Sequence, residues 1–309
     1  MDRIERILKA LNVSNQGTIL RQPEIDKVIQ HIREYKNPLF QNIPRRKGSG
    51  DAWYVNRRTP GSTAATFVAD TGSFTEDTGN YAQVAFGYKT LGTKGKVSRR
   101  LQAQGRTYQD VLASEIEGKT LDLKNFEDWA YIWGSTATSA NEFDGLNVLI
   151  AGTQVVATTT STSGDDLTLA LMDELVDKCA SEPDLLVSSK TGRRKLNALI
   201  QANQQYVNVV EIKGGAKVIS YNNIPLLVSS NVTDEMTYNG SDVSYSTGGA
   251  TSAIFALDTT YLWVGELSPL TIEPLAKSSS QYDEFEEYCD EAIVLANTKM
   301  CAKLAGIAI

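Results

Sequence analysis

Residues 59–88, TPGSTAATFVADTGSFTEDTGNYAQVAFGY, carry four glycines, many Ser and Thr, and not one Lys or Arg. This stretch limits what the chain can become more than any other. Its apolar residues alternate only near the end, at Val84, Phe86 and Tyr88, with the period of two that marks a strand. The pattern predicts a β-hairpin with a ragged tip. A segment this long and polar is awkward inside a compact domain, and a two-stranded hairpin alone is marginal in water. It is therefore either a free loop or a piece held by something outside its own domain. Asp70, Glu76 and Asp77 suit a basic docking surface, although any solvated loop carries such charges.

A second segment has the same difficulty. Residues 3–12 place Ile4, Ile7, Leu8 and Leu11 on one helical face, and residues 23–35 do so with Ile25, Val28, Ile29 and Ile32. Pro23 suits a first helical position and Asn37-Pro38 a stop. Two short amphipathic helices need a partner for their stripes, either their own body or another chain. PRRKGSGD (44–51) reads as a linker. The arm is also basic: residues 1–48 hold ten Lys and Arg against five Asp and Glu, whereas the remainder holds twenty against thirty-two. An acidic body argues against a nucleic-acid-binding enzyme. The basic arm fits an acidic neighbouring subunit more safely than it fits DNA.

The body reads as mixed α+β without a βαβ series. A strand is expected at Lys94–Gln102, then a long helix over 107–133, where Leu112, Ile116, Leu123, Phe126, Ala130 and Trp133 recur at three-to-four spacing. At 1.5 Å per residue it would run about 40 Å, the length of a strut. NEFDGLNVLI (141–150) reads as a turn into a short buried strand. Asp165 or Asp166 is the expected N-cap of a helix bearing Leu167, Leu171, Leu175, Val176 and Cys179. DLLVSS (184–189) predicts a buried strand and residues 191–203 a helix. Strands then follow at Val207–Ile212, Ala216–Tyr221, Pro225–Val228 and Ala253–Leu257, with a turn at Asn222-Asn223. Tyr261–Glu266, Leu270–Glu273 and Glu291–Ile307 read as further sheet.

Little in the sequence points to catalysis. His31 is the single histidine, and no GxSxG, HExxH, GxGxxG or Walker A pattern is present. Lys190-Thr191-Gly192 copies a β-lactamase tripeptide, but no SxxK accompanies it. Cys179, Cys289 and Cys301 form no CxxC pair and fit reduced thiols. No apolar run reaches the roughly 20 residues that span a bilayer, and the charged N-terminus is no signal peptide. The acidic run Asp283, Glu284, Glu286, Glu287, Asp290 and Glu291 lacks the spacing of a calcium loop and reads as a solvated face. No cofactor or metal is expected.

In the order of its elements the chain resembles the major capsid proteins of tailed bacteriophages, which share the Hong Kong 97-type fold with encapsulins. The resemblance implies an N-terminal arm (1–50), an extended hairpin loop with flanking strands (51–104), a spine helix and peripheral domain (105–190), an axial domain (191–258) and a return to the peripheral domain (259–309). Phe143–Leu146 looks like the family's exit from the spine helix, and YNNIPLLVSSNV (221–232) like its axial strand pair. The implied role is structural: an icosahedral head shell of hexamers and pentamers around double-stranded DNA, assembled in the host cytoplasm, with a portal and possible scaffolding and decoration proteins as partners. Assembly contacts would then come from Asp70, Phe74, Glu76, Asp77 and Tyr81 in the loop, and from Ile4, Leu8, Ile25, Ile29 and Ile32 in the arm. Some relatives join a loop lysine to an asparagine of another subunit. Residues 59–88 have no lysine, so no such bond is expected through the loop tip. Only about 50 residues precede the loop, which favours a separate scaffolding protein or none. The alternatives are an encapsulin-type compartment and a soluble hydrolase using the acidic run 283–291.

Overall fold

The computed structural model describes residues 37–59, 65–74, 76, 78–105, 110–202, 209–211, 217–276 and 281–309. The helices expected at 3–12 and 23–35, and with them Ile4, Leu8, Ile25, Ile29 and Ile32, lie outside the described residues, as does Asp77.

The described chain opens with one helical turn, α1 (Pro38–Asn42), and a short strand, β1 (Arg45–Lys47). Strands β2 (Ala52–Thr59) and β3 (Asn80–Gly87) pair in antiparallel register, from Ala52 opposite Gly87 to Thr59 opposite Asn80. A hairpin is present, but its first strand precedes the segment 59–88 in which it was expected; no residue of either strand is buried. β4 (Lys89–Ser98) leads through α2 (Arg99–Gly105) to α3 (Val111–Trp133). The 23 residues of α3 span about 34 Å at 1.5 Å per residue. Asp110 caps the helix, its carboxylate accepting from the amides of Leu112 and Ala113, both at 3.1 Å. Next come the single turn α4 (Leu146–Leu149), β5 (Val155–Ala157), α5 (Leu169–Lys178), β6 (Leu185–Ser188) and α6 (Lys190–Ala202). β7 (Val209–Glu211), β8 (Lys217–Tyr221), β9 (Ile224–Val228), β10 (Thr237–Tyr238), β11 (Val243–Ser244) and β12 (Thr251–Leu257) fill the middle. β13 (Leu262–Leu275), β14 (Tyr282–Leu295) and β15 (Ala302–Ala308) close the chain.

Two sheets organise these elements. The first runs β1-β13-β14-β4, with β1 parallel to β13 and the other pairs antiparallel. The second runs β5-β15-β12-β6-β9-β8-β7. Its inner strand β12 is buried at every position, so both faces must be covered. Alternation divides its side chains between two cores. Leu185, Val187, Ala253, Phe255 and Ala305 face the side where Trp133, Leu146 and Ile150 pack. Leu186, Ile254, Leu304 and Ile307 meet Met172 and Leu175 of α5 and Leu196 and Ile200 of α6 on the other. Each of these larger side chains, fully buried, contributes roughly 1.5–3 kcal/mol relative to exposure. Two backbone features need their residue types. Asn222 and Asn223 both have positive φ, +49° and +65°, in the two-residue turn that joins β8 to β9. Gly306, at φ +83°, is the extra residue of a bulge, because Ser252 pairs with Ile307 and Ala253 with Ala305.

Several local expectations are corrected. The segment read as a linker contains β1, which adds to β13 through Arg45–Lys47 opposite Val264–Glu266. The strand expected at Lys94–Gln102 starts earlier and gives way to helix at Arg99. Residues 146–149 form a helical turn instead of a strand. Thr168, not Asp165 or Asp166, caps α5, its hydroxyl accepting from Leu171 N at 3.2 Å. Leu270–Glu273 is the outer part of the 14-residue β13, and the sheet read as continuous over 291–307 breaks between β14 and β15 at the helical turn Thr298–Met300. The acidic run is no solvated face: it lies on β14, with Glu284, Glu287 and Glu291 buried.

Candidate assembly surface

The hairpin is the most exposed part of the described chain. Its base is held to the body by two side chains from β2. Trp53 meets Trp263 edge-to-face at 5.8 Å, and the ring fits because Gly265 has no Cβ, which would stand 3.0 Å from it. Arg57 donates to the carbonyls of Leu295 (2.6 Å) and Ala296 (2.9 Å), the groups left free where β14 ends. Beyond this base the chain leaves its own core. Phe67 is as exposed as a free residue (106%), Phe74 is 72% exposed and Tyr81 73%, and Val68 is also exposed. Asp70 and Glu76 are exposed too, Asp70 inside a tight turn closed by the amide of Gly72 on Ala69 O at 2.8 Å. Of the loop residues expected from the sequence, the structure thus brings Asp70, Phe74, Glu76 and Tyr81 to one protruding element. Phe67 and Val68 were missed by sequence reasoning; two apolar neighbours inside a polar stretch were the available signal.

The opposite arrangement holds where the arm enters the body. Leu39 of α1 is fully buried against α3. Asn37, in the N-cap position, makes no capping bond with its side chain. Asp128 of α3 replaces it from 89 residues away: its Oδ1 accepts from the amides of Leu39 (3.0 Å) and Phe40 (3.3 Å). Its Oδ2 accepts from Ser229 Oγ and Asn231 Nδ2, each at 3.0 Å. One carboxylate thereby ties the arm, the spine helix and the loop after β9. Burial raises its pKa, although these four donors oppose the shift.

Arg45 of β1 forms a second knot. Its guanidinium pairs with Glu127 of α3, with Glu266 of β13 at 3.2 Å and with Glu291 of β14 at 3.5 Å, and donates to Tyr131 Oη at 3.0 Å. Tyr131 in turn donates to Glu127 and lies 2.8 Å from Glu291 Oε2. Burial and the neighbouring Glu127 push the Glu291 pKa well above the carboxylate range. On the same face of β14, Glu287 accepts from Thr120 Oγ1 at 3.1 Å, and burial raises its pKa too. A third buried charge, Lys303 of β15, donates to Asn147 O (2.7 Å) and pairs with Asp242 (2.7 Å); burial lowers its pKa. Glu127 and Asp128 were not singled out by sequence reasoning, and only partners far along the chain reveal them as interior.

This chemistry is that of fasteners. Glu287 and Glu291 turn toward α3 and are bonded there, which removes them from the role of an exposed carboxylate pair. Burial pushes the Cys179 and Cys301 thiols up to about 12 and Cys289 higher still, so none is a ready nucleophile. All three cysteines are free, as expected. Among the described residues no group of three His, Cys, Asp or Glu is placed to hold a metal ion, and no helix is long and apolar enough to cross a membrane.

A family model described as the SU10 major capsid protein matches residues 12–308. The chain belongs to that family. It is the major capsid protein of a tailed phage, a structural subunit of the virion that assembles into a multimeric shell, and not an enzyme. Solved structures agree on the Hong Kong 97-type fold. The SrpI encapsulin complex from Synechococcus elongatus PCC 7942 is similar with a TM-score of 0.72 at 13% identity, over 97% of this chain and 96% of that one. The capsid of a native GTA particle gives 0.67 at 15% identity over 97% and 100%. The capsid of Myoviridae phage XM1 gives 0.64 at 14% over 92% and 97%. No curated protein matches by sequence. The encapsulin likeness is one of fold; the family match decides between compartment and capsid.

Proposed function

We propose that the shell is icosahedral, built of hexamers and pentamers around double-stranded DNA, and that each subunit's hairpin tip lies on a neighbouring copy. The observation that supports this most is the hairpin itself, which has no buried strand residue and presents Phe67, Phe74 and Tyr81 to solvent. Aromatic side chains left bare in the single subunit gain roughly 1.5–3 kcal/mol each when a partner covers them. Asp70, Phe74, Glu76, Asp77 and Tyr81 are the proposed loop contacts, and Ile4, Leu8, Ile25, Ile29 and Ile32 the proposed arm contacts. Within the arm (1–50) and the extended loop with its flanking strands (51–104), β2–β3 reaches outward, whereas α1, β1 and β4 pack on the body. The peripheral domain (105–190 and 259–309) rests on α3 and the four-stranded sheet. The axial domain (191–258) centres on the seven-stranded sheet, to which β5, β6 and β15 add strands. Many copies of such unlike contacts close a shell when each subunit fixes the angle to the next. Assembly takes place in the host bacterial cytoplasm, with a portal and possible separate scaffolding and decoration proteins as partners.

Electron microscopy of the expressed full-length protein, alone and together with its gene neighbours, tests this. Closed shells are expected from the wild type, and unassembled, folded subunits from a Phe67→Ser, Phe74→Ser, Tyr81→Ser variant. Normal shells from that variant would contradict the contact assignment. Because residues 59–88 have no lysine, boiled particles should run as the single-chain species on a denaturing gel.

A further inference from the structure

The exposed face of α6 carries positive charge that few carboxylates among the described residues meet. Residues 190–202, KTGRRKLNALIQA, contain four basic residues and no acidic one, inside a body that is acidic overall. Lys195 is occupied, 3.0 Å from Asp166 and 2.7 Å from the carbonyl of Ala308. Among the described residues Lys190, Arg193 and Arg194 have no carboxylate partner. Together with Asn197, Ala198 and Gln201 they line an open cleft of about 430 Å³. The helix buries its other side, through Leu196 and Ile200, against the seven-stranded sheet. Cations in the first turn of a helix sit at the positive end of its dipole, so these charges oppose the helix that carries them.

We propose that this face, Lys190, Arg193, Arg194, Asn197 and Gln201, is where the subunit contacts packaged double-stranded DNA; the inference rests on the proposed DNA-filled shell. The row runs about 16 Å along the helix at 1.5 Å per residue, against a duplex that carries one charge per roughly 1.7 Å of its axis. Arg, Lys, Asn and Gln are the side chains that bind phosphate oxygens without reading sequence. Uncharged Asn197 and Gln201 extend the donor row without adding charge, which suits a phosphate backbone better than a cluster of protein carboxylates. Three charges give a weak, salt-sensitive contact. A shell needs no more than that, because many copies act at once.

The test uses the full-length chain and its Lys190→Gln, Arg193→Gln, Arg194→Gln variant, with a circular dichroism melt as the folding control. Binding of unassembled subunits to a random-sequence DNA duplex is measured against salt. The variant should lower the slope of log affinity on log salt by about three relative to wild type. In DNA-filled particles, protein–DNA crosslinks should map to the 190–202 peptide in the wild type and disappear from it in the variant. An unchanged slope, or crosslinks confined to other peptides, would overturn the assignment. So would a folded variant that binds DNA like wild type yet fails to assemble, because the face would then be a contact between subunits. Absence of shells from the wild type would sink the shell reading instead, and the subunit slope would still decide whether this face binds DNA.

Discussion

The hairpin and the root of the arm solve opposite problems. β2–β3 carries apolar rings into solvent, with Phe67 and Phe74 uncovered, and is fastened to its body at its base through Trp53 and Arg57. The junction around Arg45 and Asp128 does the reverse, holding charge inside the molecule and satisfying it with partners from α3, β13, β14 and the loop after β9. Apolar surface lies bare at the contact proposed for another copy; buried charge lies where the chain's own elements must meet in one geometry. The apolar contacts are non-directional and tolerate a change of neighbour angle, whereas a carboxylate with four donors does not. A subunit that must stay rigid at its centre and adapt at its margin needs both.

The contrast breaks first at Arg45. Arg45→Ala leaves Glu127, Glu266 and Glu291 facing one another without their cation. Removing one partner of a buried charged cluster costs about 3–5 kcal/mol, and urea unfolding of the unassembled subunit should show a loss of that size. Arg45→Lys should recover only part of it, because an ammonium cannot bridge three carboxyl groups as a planar guanidinium does. A loss below about 1 kcal/mol would mean that the knot is ornamental. Asp128→Ala should come next, at about 2–3 kcal/mol, since it strands the amides of Leu39 and Phe40 together with two side-chain donors. Asp128→Asn keeps one acceptor oxygen and should fall between.

Glu291 sharpens the same comparison by its pH dependence. Its folded pKa stands above the ordinary value of 4.5, so the folded subunit binds a proton that the unfolded chain releases. Stability is then greatest below the unfolded pKa and falls as pH rises from there through neutrality. Asp128 and Glu287 are shifted in the same direction and add to the trend. Glu291→Gln should be at least about 1 kcal/mol more stable than wild type at pH 8, one pKa unit being worth 1.36 kcal/mol, and nearly equal to it at pH 4. Equal slopes for the two proteins between those pH values would show that Glu291 is ionised in the folded state.

Local signals were legible and distant ones were not. α3 follows from its spacing, which is complete within the segment, and the second strand of the hairpin from its late alternation; the first strand, β2, lies ahead of the segment 59–88 and is known by its pairing with β3. β14 was hidden by its own composition. Six acidic residues between 283 and 291 read as a wet surface, and the strands that make it interior lie far away, with Lys94 opposite Glu286 and Lys96 opposite Glu284. Lys94 also pairs with Glu284 at 2.8 Å. Arg45-Arg46-Lys47 likewise has the content of a linker until Glu127 and Glu266, 82 and 221 positions on, turn it into a strand. In the candidate surface, Asp70, Phe74, Glu76 and Tyr81 could be named because they stand on the segment that cannot fold alone. The knots behind it are relations between segments, and no single window of sequence contains one.

The smallest expected effect on the subunit is also the most exposing. Phe67→Ser with Phe74→Ser removes two rings that touch little of their own chain. Nothing packed is lost, and substitutions of that kind stay within about 0.5 kcal/mol in unfolding. The urea midpoint should therefore remain where it is in wild type, while closed shells disappear from micrographs of the same preparation. Stability and assembly would separate at the hairpin, just as they would fall together at Arg45. A drop of more than about 1 kcal/mol in the double variant would mean that the tip packs onto its own subunit. The exposed rings would then be part of the core's margin, and the neighbour-facing role of residues 59–88 would fail with them.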